Sequence, residues 1–452
     1  MQRSACLVSL VLALLLAACG PQTASPRPAA PDTAAPTRAP DTAAPTMPPA
    51  ATAVPPSTAP RPTAVPTERP AAEATATPPA GPFVLVPPTA SWLEANVRSL
   101  LVAPDGAAWL VTEQGVGRWQ DGAWALLREE PGWLAGFDDA GRAWWIPEGR
   151  EEIMAWDGAA WTAYGPAAGW VPLQVPGWTN VAGDRRGWVW LVDREAVYAF
   201  DGLSWLVLPL DQIGFPIDPL DEEYEGFRLT EVLRDGEGDI WVSDCNTYGE
   251  STGGYGARWF DGTRWGGADS AVTGSGCVND MELDAQGRLW MGVDNDLARY
   301  TPGQGWDVYA APEFDPAWRG SFVGDILDLA VDPQGKAWVW FDICGGASCG
   351  NFMKLFHLEG EEWVWAGECD YTCRFGRNIA FGPDGAAWFF AAYEPSDDPQ
   401  APVSGVYRAP VGGAPELVAP HWAGEALAVD GAGRVWLAPS SGVSSVYLYA
   451  NP

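Results

Sequence analysis

The sequence predicts an all-β protein, a β-propeller of eight four-stranded blades whose last blade is closed by a strand from the N-terminal side. Three observations carry this. From Phe83 onward an apolar strand, an Asp/Gly turn and a Trp-bearing strand recur. The tryptophans are Trp109, Trp144, Trp190, Trp241, Trp290, Trp338, Trp388 and Trp436, spaced by 35, 46, 51, 49, 48, 50 and 48 residues; periods of about 20–50 residues mark propellers and solenoids. Trp outnumbers the other aromatics, 27 against 15 Phe and 12 Tyr, as a repeated packing slot would require. Within the strands apolar residues alternate with period two, and helical periodicity is absent.

In chain order the first element, residues 1–19, is an export signal. Arg3 precedes the apolar run Leu7–Leu16, which is too short for a membrane span of about 20 residues but suits a secretory core. The run ends Leu16-Ala17-Ala18-Cys19-Gly20, which resembles a bacterial lipoprotein lipobox and implies lipidation at Cys19; the plainer reading is export with an incidental Cys. Residues 20–82 hold 18 prolines and no aromatics. Such a stretch cannot bury enough apolar surface to fold, and favours extended polyproline II, a disordered tether for the domain at 83–452.

Each repeat has two halves. The first is seen in LLVAPDGAAWLV and MELDAQGRLWMG, and the second in MAWDGAAWTAY and YAFDGLSWLVL. Four short strands joined by tight turns make one propeller blade. The turn acids at 105, 139, 184, 235, 284, 332, 384 and 430 read as turn chemistry, because a calcium loop needs about six to eight oxygen ligands. The eighth copy stops after one further strand, and Phe83-Val84-Leu85-Val86-Pro87-Pro88 resembles WLVLPL, the outer strand of another copy. An N-terminal strand therefore completes the last blade and removes two open edges. Seven blades is the alternative, if the weak unit near Pro395 to Pro415 only decorates a neighbour.

Two Trp slots per blade, filled in 14 of 16 cases, read as packing between blades. The variable connections, between the second and third strands (Asp342 to Asn351 is one such loop) and between blades, share the opposite face from the short turns, and function gathers on such loops. That face is expected to carry the off-register aromatics Trp133, Trp170, Trp178, Tyr224, Tyr248, Phe314, Trp318 and Trp422, with His421 and the acidic run Asp218 to Glu225. These are the candidate ligand-binding residues; the alternative is that they tuck the loops onto the blades. Cys245, Cys277, Cys344, Cys349, Cys369 and Cys373 read as three disulfides in an exported chain, with 344–349 and 369–373 favoured by their close spacing and 245–277 left as the third pair. Crossed pairing within the last four, or a four-thiolate zinc site there, are the other readings.

The repeats, hxxDxxGxhWh followed by hxxxDGxxWxxh, resemble the two-component-regulator-type propeller repeats of bacterial sensor ectodomains and lipoproteins, and share the style of streptogramin-lyase-like propellers. The resemblance covers 83–452 and implies the fold; the matching residues are turn and packing residues, which do not specify function. Streptogramin-lyase-like enzymes use a His base and a divalent metal in the central channel. This chain offers only His357, in a strand pattern, and His421, and no paired-histidine, G-x-S-x-G or phosphate-loop motif. Residues 83–452 hold 54 acids against 21 bases, which argues against nucleic acid. The expectation is a lipid-anchored, extracytoplasmic binding or protein-interaction module without cofactor or metal. Its partner would be a carbohydrate, a cationic peptide or an envelope protein; a channel lyase or glycosidase, and an envelope assembly scaffold, are the alternatives.

Overall fold

A computed structural model describes residues 83–86, 91–173, 180–193, 196–215, 229–248, 251–268, 272, 276–312, 321–345, 348–370, 379–391, 404–420, 426–438 and 446–449, with backbone only at 246–248, 251–253, 321–324, 344–345, 348–352 and 369–370. All lie in one compact unit, Thr75–Pro452. The expected export signal, Cys19 and the proline-rich stretch expected to be a tether lie outside the described residues.

The pairing gives eight four-stranded antiparallel sheets. Blade 1 runs from Val97 to Arg128, blade 2 from Gly132 to Tyr164, blade 3 from Val181 to Pro209 and blade 4 from Leu229 to Gly267. Blade 5 runs from Val278 to Tyr309, blade 6 from Ser321 to Asp370 and blade 7 from Ile379 to Pro420. Blade 8 takes its first three strands from Ala426–Val429, Val435–Ala438 and Val446–Tyr449, and its fourth from Phe83–Val86. We letter the strands of each blade a to d. Strands a of neighbouring blades lie closest to one another, around the centre. The weak unit is thus a full blade, blade 7, and the ring has eight.

Closure follows the strand resemblance residue by residue. Phe83 pairs with Tyr449, as Trp205 pairs with Phe200 and Trp161 with Trp156. Phe83 therefore occupies the second aromatic slot, which the split blade lacked by Trp count alone. It is buried, its ring 5.4 Å from that of Tyr449.

The turn between strands a and b explains the repeated Asp. In five blades the carboxylate of the residue six before the strand-b Trp accepts that indole N–H at 2.8–3.1 Å: Asp138 from Trp144, Asp184 from Trp190, Asp235 from Trp241, Asp284 from Trp290 and Asp430 from Trp436. Its other oxygen takes turn backbone amides, as Asp430 does from Ala432 and Arg434, both at 3.0 Å. One short side chain thus caps a turn and fixes the orientation of a buried Trp. In blade 2 this acid is Asp138 and not the expected Asp139, which instead pairs with Arg234 of blade 4. In blades 1 and 7 that position is Ala103 and Gly382, and the expected acids, Asp105 and Asp384, sit two residues later and pair with Arg118 and Arg408 of strand c. Trp109 of blade 1 consequently has no acceptor for its indole N–H.

All eight strand-b tryptophans are at most 6 % exposed. Each packs into the wedge toward the next blade. Trp144 meets Phe200 and Trp205, Trp190 meets Phe260 and Trp265, Trp241 meets Tyr300 and Trp306, and Trp436 meets Trp119 and Trp124 across the closure, all with ring centroids 4.7–6.0 Å apart. Adjacent turns touch at glycine. Gly106 has φ +81°, and a Cβ there would lie 2.8 Å from Cα of Gly431, which donates its amide to the Gly106 carbonyl.

Cys245, after strand b of blade 4, is disulfide-bonded to Cys277, just before strand a of blade 5, the pair left once the four closely spaced cysteines are set aside. Blade 6 departs from expectation. Asp342 to Asn351, read as a loop, lies mostly in strands Ala337–Gly345 and Ser348–Glu359, longer than strands b and c of any other blade. Cys344 and Cys349 lie on these extended strands and Cys369 on the next, Glu362–Asp370, all three described by backbone only, and Cys373 lies outside the described residues.

Candidate functional site

Strand a of each blade has an inner edge with no sheet partner, so its amides and carbonyls need other partners. The sequence supplies them from the preceding blade. β-Bulges interrupt strand a near Arg98, Thr230 and Asn279, and each of these side chains donates to a carbonyl of the next blade. Arg98 reaches Gly132 at 3.2 Å, Thr230 reaches Val278 at 2.8 Å and Asn279 reaches Ile326 at 2.9 Å. The residue ten before the blade Trp does the complementary job. Asn180 accepts from the Val232 amide at 2.8 Å, Glu231 from Met281 at 2.7 Å and Asp280 from Leu329 at 2.8 Å. Each of these groups thereby finds a backbone amide to accept from, and the wall of the central channel becomes polar along blades 3 to 6.

Within this wall is a cavity of about 410 Å³, lined by strands a of blades 1 to 5 with Val111 of blade 1. Its polar groups are Arg98, Ser99, Asn180, Glu231 and Glu282, and its aromatic groups Trp133 and Phe137. At the mouth the Arg98 guanidinium lies 4.9 Å from the Trp133 ring centre and donates to Glu148 at 3.0 Å. Trp133 opens strand a of blade 2 and Glu148 follows its strand b, so this mouth opens on the face of the long connections. Arg98 pairs with Glu148, and the lining carboxylates are Glu231, which accepts from Asn180 at 2.9 Å and from the Met281 amide at 2.7 Å, and Glu282. An aromatic platform with polar, acid-lined walls suits a neutral or cationic polar ligand.

Only Trp133, of the expected aromatics, is placed in this cavity, and it lies on a strand. Trp170 is 2 % exposed, its ring 5.3 Å from Tyr198 and 4.9 Å from Trp205; so enclosed, it offers no surface to a ligand and packs its connection onto blade 3. Tyr248 is placed by backbone alone, in a small hairpin of Asn246–Tyr248 with Ser251–Gly253. Trp178, Tyr224, Trp318, His421 and Trp422 lie outside the described residues. His357 stacks 4.6 Å from Trp338, and burial holds its pKa below the usual value; it is not among the channel residues. Arg98, Asn180, Glu231 and Glu282 were missed. For Asn180 and Glu231 the usable signal was a polar residue ten before the Trp; Arg98 and Glu282 do not share that offset.

Among the described residues no group of three or more His, Cys, Asp or Glu is arranged to hold a metal ion, and no helix is long and apolar enough to cross a membrane. No family model and no curated protein matches the chain. Solved structures that it resembles in fold include a streptogramin B lyase, with 12 % identity over 82 % of this chain and 98 % of that one and a TM-score of 0.42. A catalytically inactive virginiamycin B lyase from Staphylococcus aureus, with quinupristin, has 13 % identity over 81 % and 98 % and a TM-score of 0.41. The extracellular domain of a hybrid two-component system from B. thetaiotaomicron has 14 % identity over 81 % of this chain, which spans 39 % of that longer one, at a TM-score of 0.38. The blade count rests on strand pairing and not on these likenesses.

Proposed function

We propose that the protein is an extracytoplasmic, ligand-binding β-propeller, tethered to a membrane through a lipid on Cys19, which takes a small neutral or cationic polar ligand such as a sugar into its central channel. The observation that carries this is the cavity with Trp133 and Arg98 at its mouth; its volume, about 410 Å³, falls within the ~300–1,000 Å³ usual for small-molecule sites. The Cys245–Cys277 disulfide supports an oxidising compartment. Phe83 enters the ring at the end of blade 8 where strand c ends, on the face of the short turns.

The test is a glycan and small-peptide array probed with the full chain, followed by titration of any hit against Trp133→Ala and Arg98→Ala. Both substitutions should weaken binding about tenfold or more with unchanged circular dichroism, since truncation of a buried aromatic or Arg anchor typically has that effect. A hit whose affinity neither substitution alters would remove the channel from the reading.

A further inference from the structure

Outer strands of propeller blades are sheet edges, and here seven of the eight are kept to three to six residues. Strand d of blade 6, Glu362–Asp370, has nine. Among the described residues no strand pairs with its outer side. A long open edge is a template for another extended chain, which natural proteins normally suppress.

The side chains on this edge are equally unusual. Trp365 is 49 % exposed, the one aromatic among the large exposed apolar residues described, and Val364 is 36 % exposed. Strand alternation puts Trp365 on the side of Trp363, whose indole N–H donates to the Ala310 carbonyl of blade 5 at 2.7 Å. That side faces a groove between blades 5 and 6 of about 930 Å³, lined by Tyr309, Val308, Pro312 and Trp363 and edged by Asp307, Glu361 and Glu362. Val308 is 50 % exposed, and Glu361 and Glu362 are exposed where strand d begins. The groove's cation, Arg299, is engaged by Asp307 at 2.6 Å.

We propose that this edge binds an extended, basic peptide segment of a partner protein by strand addition. The partner backbone pairs with Glu362–Asp370; alternate apolar side chains rest on Trp365 and Val308, and its Lys or Arg side chains meet Glu361 and Glu362. Nine residues at about 3.3 Å each give an edge of about 30 Å, interrupted by a β-bulge at Ala366, so the added strand pairs chiefly along Glu362–Trp365 beside the groove. The charge of the edge selects against acidic segments, including edges of other copies of this acidic chain. This surface is separate from the channel, and the inference stands without it.

The test uses the full chain and a fluorescein-labelled ten-residue peptide alternating Lys with Val and Thr, followed by anisotropy. Binding should be lost when alternate peptide nitrogens are methylated, and absent when Glu replaces Lys. Trp365→Ala should weaken binding about tenfold; the double substitution Glu361→Gln/Glu362→Gln should weaken it about threefold and flatten its salt dependence. Equal binding by the N-methylated peptide would mean adsorption to an acidic surface and overturn the proposal, as would an unaltered affinity in Trp365→Ala. A chain that dimerises through this strand, disrupted by Trp365→Ala in sedimentation, would overturn the choice of partner.

Discussion

Asp244 ends strand b of blade 4, is 0 % exposed and adjoins Cys245. Both carboxylate oxygens accept the same amide, that of Tyr255, at 3.0 and 2.9 Å. The nearby Arg258 guanidinium is spent on the carbonyls of Gly214, Tyr255 and Ala257. Burial dominates, outweighing the Tyr255 amide and the Arg258 charge, and raises the carboxyl from 3.8 to about 7. The folded state thus holds a proton that the unfolded chain releases near pH 4. Stability from this group is complete below that pH and is lost as pH rises through about 7. A difference of roughly three pH units at about 1.4 kcal/mol each makes the ionised group cost the fold about 4 kcal/mol at pH 8. Asp244→Asn keeps an oxygen for the Tyr255 amide and cannot ionise. Urea midpoints followed by Trp fluorescence on the disulfide-intact chain should show variant and wild type nearly equal at pH 4.5. The variant's advantage should grow toward several kcal/mol at pH 8. A difference between the two that is constant from pH 4.5 to 8 would refute the reasoning. Asp294, whose carboxylate accepts the Cys277 amide at 2.7 Å, is also raised, chiefly by burial, and Asp294→Asn should show a smaller trend of the same sign.

Asp430→Ala strands the indole N–H of Trp436, which is 0 % exposed, and two turn amides. A loss of about 2–4 kcal/mol is expected from one buried orphan donor and partly rehydrated others, measured by urea unfolding; Asp105→Ala, whose exposed carboxylate caps no indole, should cost under about 1 kcal/mol. Reduction of Cys245–Cys277, which spans 32 residues, should lower stability by about 3–4 kcal/mol on the loop-entropy estimate, read by the same midpoint with and without reductant. Phe83→Ala empties the aromatic slot of the closing strand and should cost about 3–5 kcal/mol. Amide exchange should then quicken in Val446–Tyr449 before it does in blades 3 to 5; uniform quickening would show that closure does not limit ring opening.

Blade number and closure were legible because a propeller repeats its packing residues in register, and Phe83 to Pro88 kept the spacing of a fourth strand. The turn acids were legible only as a class. That Asp138 and not Asp139 caps blade 2 follows from counting back from Trp144, a constraint set by where an indole N–H points and not by acidity. Asp342 to Asn351 read as a loop because its glycines and paired cysteines look like turn chemistry, whereas most of it continues a hairpin begun by the apolar residues before it. The channel was hidden for a different reason. Arg98, Asn180 and Glu231 are polar residues in strands that look half-solvated, and only ring closure turns their edge inward. Trp170 shows the converse, since an off-register aromatic tells nothing of whether it ends on a surface or under one.

The closing strand carries a mechanical consequence. Residues 1–82 join the ring through Phe83, so any tension on that side is delivered first to Phe83–Val86 and its four pairings with Val446–Tyr449. A pull along the strand loads those pairings together, in shear; a pull across it would break them one after another. The same four residues also hold the wedge aromatic that Trp388 packs beside through Tyr449. The pairing of strands c and d inside blade 8 is therefore where load arrives first, and the fold would open there by unlatching one short strand while the other seven blades keep their covalent continuity.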